Sequence, residues 1–546
     1  MTSKRYADGG ELLVAVLCEL GIDTVFGIVS VHNLPLVEAV DRHLRFVPVR
    51  HEATAVTAAD AYGRARGTLG CALTSTGTGA GNAAGSLVEA LSAGTSVLHV
   101  TGQIESALLG GGRGYIHETK DQLGMLAAVS HHAATVTSAT EAGRVLRTAA
   151  RAALATPGGP ASVEWPVDLQ YAAQEDTPAP AAADPAPTLE PEQLAAAADL
   201  LAGARRPLVW AGGGAARAGD RLTTLLERTG AGLLTSNSGR GAVPEDHPQV
   251  IGNFATTPAG RSLLADADVL LSIGTHFRSN ETADYSLQLP AAHIQIDADA
   301  AALGRAYPAG HPLHGEADAV LAALTPATGT TATEAGWRQR ITTARQEVRR
   351  TLTENIGPQA ALCQAIREAL PRRAVIARDV TIASSSWGNR LLEIYDPRDN
   401  VFPRGGGIGQ GLGMGIGAAL ARPGEPVVVI AGDGGLAVHL GELLTLAQER
   451  PRLTLLVFND GGYGVLRNMQ DRYSARRSGV DLATPDFALL ARACGLPHAR
   501  IAAPEDAAAV IGEAVAGDGP TLVEVDLQAL GPMKNPFTPP VKIPTA

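Results

Sequence analysis

The sequence predicts an α/β protein with three domains, each built on a parallel sheet flanked by helices. Its 546 residues are more than a single hydrophobic core usually organises. Short apolar runs of strand length alternate along the chain with stretches of helical apolar spacing, as in strand–helix–strand units. Residues 171–190 are rich in Pro, Ala and acidic residues without apolar periodicity, which predicts a linker between two of the domains.

These breaks define the predicted organisation. We expect an N-terminal domain over 1–170, the linker over 171–190, a central domain over 191–330, a charged helical connector over 331–355 and a C-terminal domain over 356–546. The end of the first domain reads GPASVEWPVDLQ, and a segment near the end of the chain reads GPTLVEVDLQ. This internal echo predicts one architecture for the first and third domains, although a single match of this length also arises by chance.

The charge and the residue composition limit the kinds of binding partner and the cellular location that we expect. The net charge is −11 and no basic block occurs, which argues against nucleic acid and anionic membranes as partners. The N-terminus lacks an apolar signal core and no apolar run is long enough to span a bilayer, so we expect a cytoplasmic protein. Cys18, Cys71, Cys363 and Cys494 lack C-x-x-C spacing, which predicts free thiols rather than disulfides or a zinc site.

The N-terminal domain alternates helix-like and strand-like segments. Apolar spacing predicts a helix over 9–21 and a strand over 24–28, which ends in a loop that carries His32. A second strand, 44–49, ends just before Glu52, and an Ala-rich helix follows. Glu52 therefore lies at a strand-to-helix junction, where a carboxylate also interacts favourably with the helix dipole.

Two glycine-rich stretches follow in the same domain. Residues 75–82, with three glycines, lack the spacing of a dinucleotide-binding turn, and no P-loop lysine follows them. Residues 110–114 predict a mobile loop that leads to His117. For His32 and His117 the alternative to a functional role is an ordinary loop histidine.

The central domain is predicted to be a further parallel α/β unit. Strands are expected over 207–210, 232–234, 269–273 and 293–296, with helices between them. Residues 212–214, Gly-Gly-Gly, are too weak a signal to support FAD.

The C-terminal domain contains the most informative stretch. An apolar strand over 427–430 is followed by Gly-Asp-Gly-Gly, a helix over 436–444 is expected next, and a strand over 453–458 ends on Asn-Asp-Gly-Gly. Asp433 and Asp460 therefore follow two strands joined by one crossover, where open α/β sheets bind their ligands. Two carboxylates repel a phosphate unless a cation lies between them, so the stretch predicts a clamp for Mg²⁺ and a diphosphate. The simpler alternative is a pair of capping Asp residues.

The motifs GDGG and NDGGYG at this distance resemble the thiamine diphosphate fingerprint of the 2-oxoacid decarboxylase and acetolactate synthase superfamily. The segment RHEATAVTAADAYGRA is similar to the family's H-E-x-x-A-x-x-x-A-x-x-Y-A-R segment. The resemblance implies a thiamine diphosphate-binding fold with pyrimidine-binding, central and diphosphate-binding domains. It also implies that Glu52 contacts the aminopyrimidine ring. Asp460 departs from the more usual Asn and adds negative charge.

The resemblance also implies a set of site residues. The implied catalytic residues are Glu52, His32 and His117, and the implied metal ligands are Asp433, Asp460 and the carbonyl of Gly462. The implied cofactor-binding residues are Glu52, Thr381, Gly406, Ile408, Asp433, Gly434, Gly435, Asp460, Gly462, Tyr463 and Gly464. Thr381 would contact the terminal phosphate, and Ile408 would bend the cofactor into a V shape.

The resemblance finally implies a reaction and an assembly. A ylide of the cofactor attacks a small-molecule 2-oxoacid, carbon dioxide leaves, and the resulting enamine gives an aldehyde or joins an aldehyde or second oxoacid. Members like benzoylformate decarboxylase, guanidino-oxoacid decarboxylase and benzaldehyde lyase are the nearest in motif. An acetolactate synthase, a flavin-dependent oxidase and a non-catalytic homologue are the alternatives. Active sites shared between subunits imply a homodimer or homotetramer. The tail 531–546 either covers the mouth of the site or packs simply as an ordered tail.

Overall fold

A computed structural model describes residues 4–176, 189–329, 333–474 and 476–539. Three six-stranded parallel sheets, one in each predicted domain, organise the chain, and helices cover both faces of each sheet. The predicted fold class is therefore confirmed. No helix in the described ranges is long and apolar enough to cross a membrane.

The described residues 4–176, which contain the first domain, form eight strands and seven α-helices. The strands are β1 (Lys4–Tyr6), β2 (Thr24–Gly27), β3 (Arg45–Pro48), β4 (Gly70–Thr74), β5 (Val97–Gln103), β6 (His132–Thr135), β7 (Pro160–Pro166) and β8 (Gln174–Asp176). The helices are α1 (Gly9–Glu19), α2 (Leu34–His43), α3 (Glu52–Arg66), α4 (Thr78–Ala93), α5 (Gln122–Val129), α6 (Ala142–Leu154) and α7 (Val167–Tyr171). The sheet order is β3-β2-β4-β5-β7-β6, and β1 pairs separately with β8 in an antiparallel ladder.

The central domain and the connector follow. The strands are β9 (Pro207–Ala211), β10 (Gly232–Thr235), β11 (Val250–Gly252), β12 (Val269–Ile273), β13 (Ala292–Asp297) and β14 (His311–His314). The helices are α8 (Pro191–Ala202), α9 (Gly219–Thr229), α10 (Pro258–Asp266), α11 (Ser279–Thr282), α12 (Ala317–Thr328) and the connector helix α13 (Trp337–Ile356). The order β11-β10-β9-β12-β13-β14 is that of a doubly wound sheet.

The third domain completes the chain. The strands are β15 (Val375–Arg378), β16 (Asn400–Val401), β17 (Val427–Gly432), β18 (Leu453–Asn459), β19 (His498–Ile501) and β20 (Thr521–Asp526). The helices are α14 (Gln359–Ala369), α15 (Gly411–Ala421), α16 (Asp433–Val438), α17 (Glu442–Glu449), α18 (Gly464–Tyr473), α19 (Phe487–Ala493), α20 (Ala507–Ala516) and α21 (Leu527–Leu530).

The third sheet repeats the first. Its order, β16-β15-β17-β18-β20-β19, has the same chain sequence of strands as the first sheet, and the two echo segments form β7 and β20. The expectation that these two domains share one architecture is therefore confirmed.

The first and third domains also share a hydrophobic core, centred on the contact of α3 with α15. Ala58 of α3 lies so close to Gly417 of α15 that a Cβ at position 417 would lie 2.0 Å from the Ala58 carbonyl oxygen. Only a glycine there allows the helices to approach this closely. The helix that begins with Glu52 is therefore fixed against the third domain of the same chain.

Three local predictions differ from the structure. The single helix expected over 436–444 is two helices, α16 and α17, with a break at residues 439–441. The glycine-rich turn expected over 75–82 is shorter, because α4 already begins at Thr78. The stretch expected as a linker begins with β8, which is held by β1, whereas 177–188 lie outside the described residues.

Candidate active site

Asp433 and Asp460 lie side by side at the carboxyl ends of two neighbouring strands. Asp433 begins α16 directly after β17, and Asp460 follows β18, which pairs with β17 in parallel register. The Asp460 N–H donates to Asp433 Oδ1 over 3.4 Å. The parallel register brings together two residues that are far apart in sequence.

Asp433 is buried and Asp460 is half-buried, and each carboxylate has one oxygen withdrawn from water. Asp433 Oδ2 and Asp460 Oδ1 are buried and accept no hydrogen bond from the described part of the chain. Burial raises the pKa of Asp433, and burial followed by the charge of Asp433 raises the pKa of Asp460 to about 6. Buried carboxylate oxygens without donors are costly unless a cation binds them, so this pair fits a divalent cation. The nearest positive group is Arg467, whose Nη1 lies 3.6 Å from Asp460 Oδ1.

The backbone around the two carboxylates is glycine-lined. Gly462 has φ +146°, which an L side chain rarely adopts. A Cβ at Gly464 would lie 1.8 Å from Asp460 Oδ2, and one at Gly434 would lie 3.0 Å from the Gly462 carbonyl oxygen and within 2.9 Å of the Tyr463 ring. Among the described residues no cluster of three or more His, Cys, Asp or Glu side chains could hold a metal ion. A cation here would therefore depend on the two carboxylates and backbone oxygens such as that of Gly462.

A further carboxylate, Asp379, is buried next to the turn that follows Asp433 and was not predicted. It follows β15 and accepts hydrogen bonds from the N–H groups of Val380 (2.6 Å), Gly409 (3.1 Å) and Gly411 (3.0 Å). A Cβ at Gly435 would lie 3.3 Å from its Oδ2. Asp379 therefore ties the glycine loop before α15 to the turn that begins α16. Asp433 was predicted because it is a carboxylate directly after a buried strand. Asp379 has the same position after β15 and could have been predicted in the same way.

The other residues expected on this side surround the same turn. A Cβ at Gly432 would lie 3.1 Å from Thr381 Oγ1, so this hydroxyl lies next to the end of β17. Gly406 has φ +90°, and Ile408 remains 41% exposed. Glu89 of α4, which was also not predicted, accepts hydrogen bonds from the N–H groups of Gly405 and Gly407.

Glu52 begins α3 and lies in the first domain. Its Oε2 accepts a hydrogen bond from Asn82 Nδ2 over 3.0 Å, and a Cβ at Gly79 would lie 2.9 Å from its Oε1. His51 caps the helix, because its Nδ1 accepts the Ala53 N–H over 3.1 Å. Asn82 could not be found from the sequence pattern, since it depends on how α4 packs beside α3.

His32 and His117 form a pair in the same domain as Glu52. Their ring centroids lie 5.2 Å apart, and a Cβ at Gly77 would lie 2.5 Å from the His117 carbonyl oxygen. His32 is 3% exposed and its Nδ1 makes no hydrogen bond with described residues. Burial, and secondarily the charge of His117, lower the pKa of His32, so its imidazole is neutral near neutral pH.

The predicted residues therefore form two groups. Glu52, His32 and His117 belong to the first domain, whereas the predicted residues from Thr381 to Gly464 belong to the third. Across the described ranges, no hydrogen bond or ion pair joins a residue of one group directly to a residue of the other.

Comparisons with known proteins agree with this layout. Family profiles described as the N-terminal TPP binding domain, the central domain and the C-terminal TPP binding domain of thiamine pyrophosphate enzymes match residues 7–125, 194–324 and 382–525. A probable 2-ketoarginine decarboxylase of Pseudomonas aeruginosa is 33% identical over 91% of this chain and 89% of its own length.

Two other relatives carry a different activity in their names. An acetolactate synthase of Mycobacterium bovis is 30% identical over 94% of this chain and 87% of its own length. The acetolactate synthase isozyme 2 large subunit of Escherichia coli is 27% identical over 96% of both chains. With three domain matches in order and relatives aligned along nearly its whole length, the chain belongs to the thiamine pyrophosphate enzyme family.

Proposed function

We propose that this chain is a thiamine diphosphate- and Mg²⁺-dependent enzyme that decarboxylates a 2-oxoacid. The observation that carries the proposal is the pair of carboxylates Asp433 and Asp460, each with a buried oxygen that accepts no hydrogen bond from described residues. These two side chains and the carbonyl of Gly462 would hold Mg²⁺. The glycines around them carry no side chain that would block a close approach of diphosphate oxygens to the backbone, and Thr381 would offer a hydroxyl beside them.

When bound, thiamine diphosphate supplies an electron sink for the electron pair that remains after carbon dioxide leaves the 2-oxoacid. Glu52 would share a proton with the ring nitrogen of the aminopyrimidine, and its bond to Asn82 holds the carboxylate in place. Ile408 has an exposed apolar side chain that would pack against the cofactor rings, and the Gly406 carbonyl would accept from the 4′-amino group.

His32 and His117 are proposed to handle protons on the substrate side. A neutral His32 with an unpartnered Nδ1 can accept a proton or orient a polar group. The contact between the two rings means that a proton on one disfavours a proton on the other. The pair can therefore carry one proton to a developing oxyanion or carbon without both rings becoming charged.

The product depends on whether a proton or a second carbonyl compound reacts with the carbon that has lost carbon dioxide. Protonation gives an aldehyde, which is the outcome that the 2-ketoarginine decarboxylase relative favours. Attack on a second carbonyl compound gives a 2-hydroxyketone, and the relatives named acetolactate synthase favour this alternative. A non-catalytic role is disfavoured because Glu52 and both buried carboxylates are present.

The same proposal includes a homodimer or homotetramer with sites shared between subunits. Val31 and Ile116, beside the two histidines, are 70% and 65% exposed, and exposed apolar side chains around a predicted site are typical of a covered surface. A cytoplasmic location is supported by the four cysteines, all of which are free.

The test is carbon dioxide release by the purified protein from 2-ketoarginine, pyruvate and benzoylformate, with analysis of aldehyde and hydroxyketone products. We expect release from at least one acid, dependent on both thiamine diphosphate and Mg²⁺. Glu52→Gln should lower kcat by about 100-fold or more, the usual size of a lost acid–base contribution. Glu11→Gln, at an exposed ion pair on α1, is the matched control and should have no effect. The proposal is wrong if no acid releases carbon dioxide and Glu52→Gln behaves as the wild type does.

A further inference from the structure

The residues directly before Glu52 are held by the segment that follows Asp433. The Arg50 N–H donates to Glu442 Oε1 over 3.0 Å, and its side chain donates to Gln448 Oε1 over 2.8 Å. The rings of His51 and His439 lie 4.9 Å apart between centroids. The break between α16 and α17, together with α17 itself, therefore packs against the turn that leads into α3.

Unlike Gln448, the other hydrogen-bond partner of Arg50 named above, Glu442 is buried. It is 1% exposed, and its second oxygen accepts the Thr445 hydroxyl over 2.6 Å, so both oxygens are engaged. Arg50 lies after the end of β3 and before the first residue of α3, so its N–H has no partner within strand or helix. A buried carboxylate that accepts from a backbone N–H makes a strong, charge-assisted hydrogen bond. This bond fixes the peptide two residues before Glu52.

We propose that Glu442 is a positioning residue that sets the direction of the Glu52 carboxylate, an inference that rests on the proposed role of Glu52. His51 caps α3 and Glu52 is the first helical residue, so a rotation of the peptide at Arg50 moves both. Glu442 lies nine positions after Asp433 (442 − 433 = 9) in one short segment. Residues 433–442 thus begin at Asp433, in the predicted cation site, and end at Glu442, which sets the geometry of Glu52.

The contact lies within one chain, so it acts on Glu52 whichever subunit supplies the cofactor that Glu52 meets. The neighbouring Arg45–Glu449 ion pair, 2.8 Å long with Arg45 45% exposed, only adds to domain packing. Exposed pairs of this kind contribute little. A purely packing role for Glu442 predicts that its loss lowers stability but leaves the kcat of the folded enzyme unchanged. Positioning predicts instead that kcat falls while KM is kept.

Three substitutions and a control separate these roles. Glu442→Ala removes the acceptor, Glu442→Asp keeps the charge but withdraws the acceptor by one methylene, and Glu442→Gln keeps an acceptor oxygen without the charge. Gln448→Ala removes the exposed contact of the same arginine and is the control from the same helix. If Glu442→Ala fails to fold, the Asp and Gln variants still form a complete comparison.

We expect Glu442→Ala and Glu442→Asp to lower kcat by about 100-fold with KM within about threefold, the size expected for a misplacement of about 1 Å. Glu442→Gln should restore most of the rate, and Gln448→Ala should match the wild type. Amide hydrogen exchange should quicken over residues 49–53 in the Ala and Asp variants only. In the protein loaded with thiamine diphosphate and Mg²⁺, the circular dichroism of the aminopyrimidine tautomers should change in the same two variants.

The proposal is overturned if Glu442→Asp keeps the wild-type rate, exchange and dichroism, or if Glu442→Gln is as impaired as Glu442→Ala. Exchange and dichroism do not require turnover. If the wild type decarboxylates no acid while both signals change as expected, the proposed function fails and the positioning role stands.

Discussion

At the scale of single residues, burial raises the pKa values of three carboxylates at the carboxyl ends of neighbouring strands. Asp379, Asp433 and Asp460 follow the neighbouring strands β15, β17 and β18. Burial raises the pKa of Asp379 to about 6, although three backbone N–H groups oppose the shift. Such a concentration of perturbed acids in one place is typical of functional sites.

Asp379 predicts a specific pH dependence of stability. Its pKa in the folded state lies above the ordinary value of 3.8, so its stabilising contribution is complete below about pH 4 and is lost as the pH rises through about 6. Between about pH 4.5 and about pH 7 the loss amounts to roughly 2 kcal/mol. Asp379→Asn lacks this titration, so its Tm relative to wild type should rise over that interval when both proteins are free of cofactor.

The comparison of wild type with Asp379→Asn contains its own control. The Asn amide turns an NH₂ group toward one of the backbone N–H donors, which lowers stability by the same amount at every pH. Only the change in the Tm difference therefore reports the titration. A difference that stays constant from about pH 4.5 to about pH 7 would show that Asp379 has an ordinary pKa.

Sequence patterns predicted those site residues that follow apolar runs at a regular spacing along the chain. Asp433 and Asp460 follow buried apolar runs one crossover apart, and their adjacency comes from the parallel register of β17 and β18. Asn82 and Glu89 were not predicted because both lie on α4, and their partners are set by how α4 packs on α3 and on the glycine loop. No local pattern encodes such a contact.

At the scale of elements, the contact of α3 with α15 links the two groups of predicted site residues. A Cβ at Gly413 would lie 3.0 Å from Thr54 Cγ2 of α3, and one at Gly415 would lie 2.2 Å from Val429 Cγ2 of β17. The glycines at positions 413 and 417 therefore allow α15 to lie against α3, and the one at position 415 allows it to lie against the sheet. The alternation explains the glycine-rich sequence of this helix.

Gly417→Ala should destabilise the protein and lower its activity. The added methyl group would lie 2.0 Å from the Ala58 carbonyl oxygen, which forces α3 and its Glu52 away from the third domain. Overpacking of this kind costs about 1–3 kcal/mol. Thermal unfolding and the rate of carbon dioxide release measure the two effects. Gly512→Ala, in α20 with nothing within 4 Å of the new Cβ, is the control and should not lower either.

Strand prediction failed mainly at the sheet edges. Apolar runs also predict strands over 71–74, 96–101, 161–165, 374–377 and 521–526, all of which are inner strands of the sheets. Five of the strands that were not predicted, β6, β11, β14, β16 and β19, are edge strands of the three large sheets. Edge strands are short and partly polar, so they lack the continuous apolar run that marks an inner parallel strand. The apolar spacing over 436–444 is helical throughout, and the break at 439–441 coincides with the contacts of His439 and Glu442 with the first domain.

At the scale of the whole molecule, a buried ion pair joins the central and third domains. Arg240 and Glu245 are 0% and 1% exposed and are bonded twice, over 2.7 and 2.6 Å. Arg240 also donates to the carbonyl oxygens of Gly388 and Leu392, and Glu245 accepts the Ile394 N–H. Apart from their bonds to each other, the two side chains bond only to backbone of the third domain among the described residues, so the pair fixes how the two domains dock.

Glu245→Ala should cost about 3–5 kcal/mol, because it leaves the Arg240 charge buried without its counterion. Differential scanning calorimetry should then show the central domain unfolding at a lower temperature than the rest. The combined Arg240→Met and Glu245→Leu substitution removes both charges and should recover most of the lost stability. Arg221→Ala, at an exposed ion pair with Asp318, is the comparison and should have an effect below about 1 kcal/mol. An equal effect of Glu245→Ala and Arg221→Ala would contradict this account.

The matching strand order of the first and third sheets bears on how such a chain arose. Glu164 in β7 accepts a hydrogen bond from Gln103 of β5, and Glu524 in β20 accepts one from Asn459 of β18, so corresponding carboxylates face corresponding strands. Duplication of an ancestral gene followed by fusion would account for both resemblances. In such a history the two copies diverged, so that one carries Asp433 and Asp460 while the other carries Glu52.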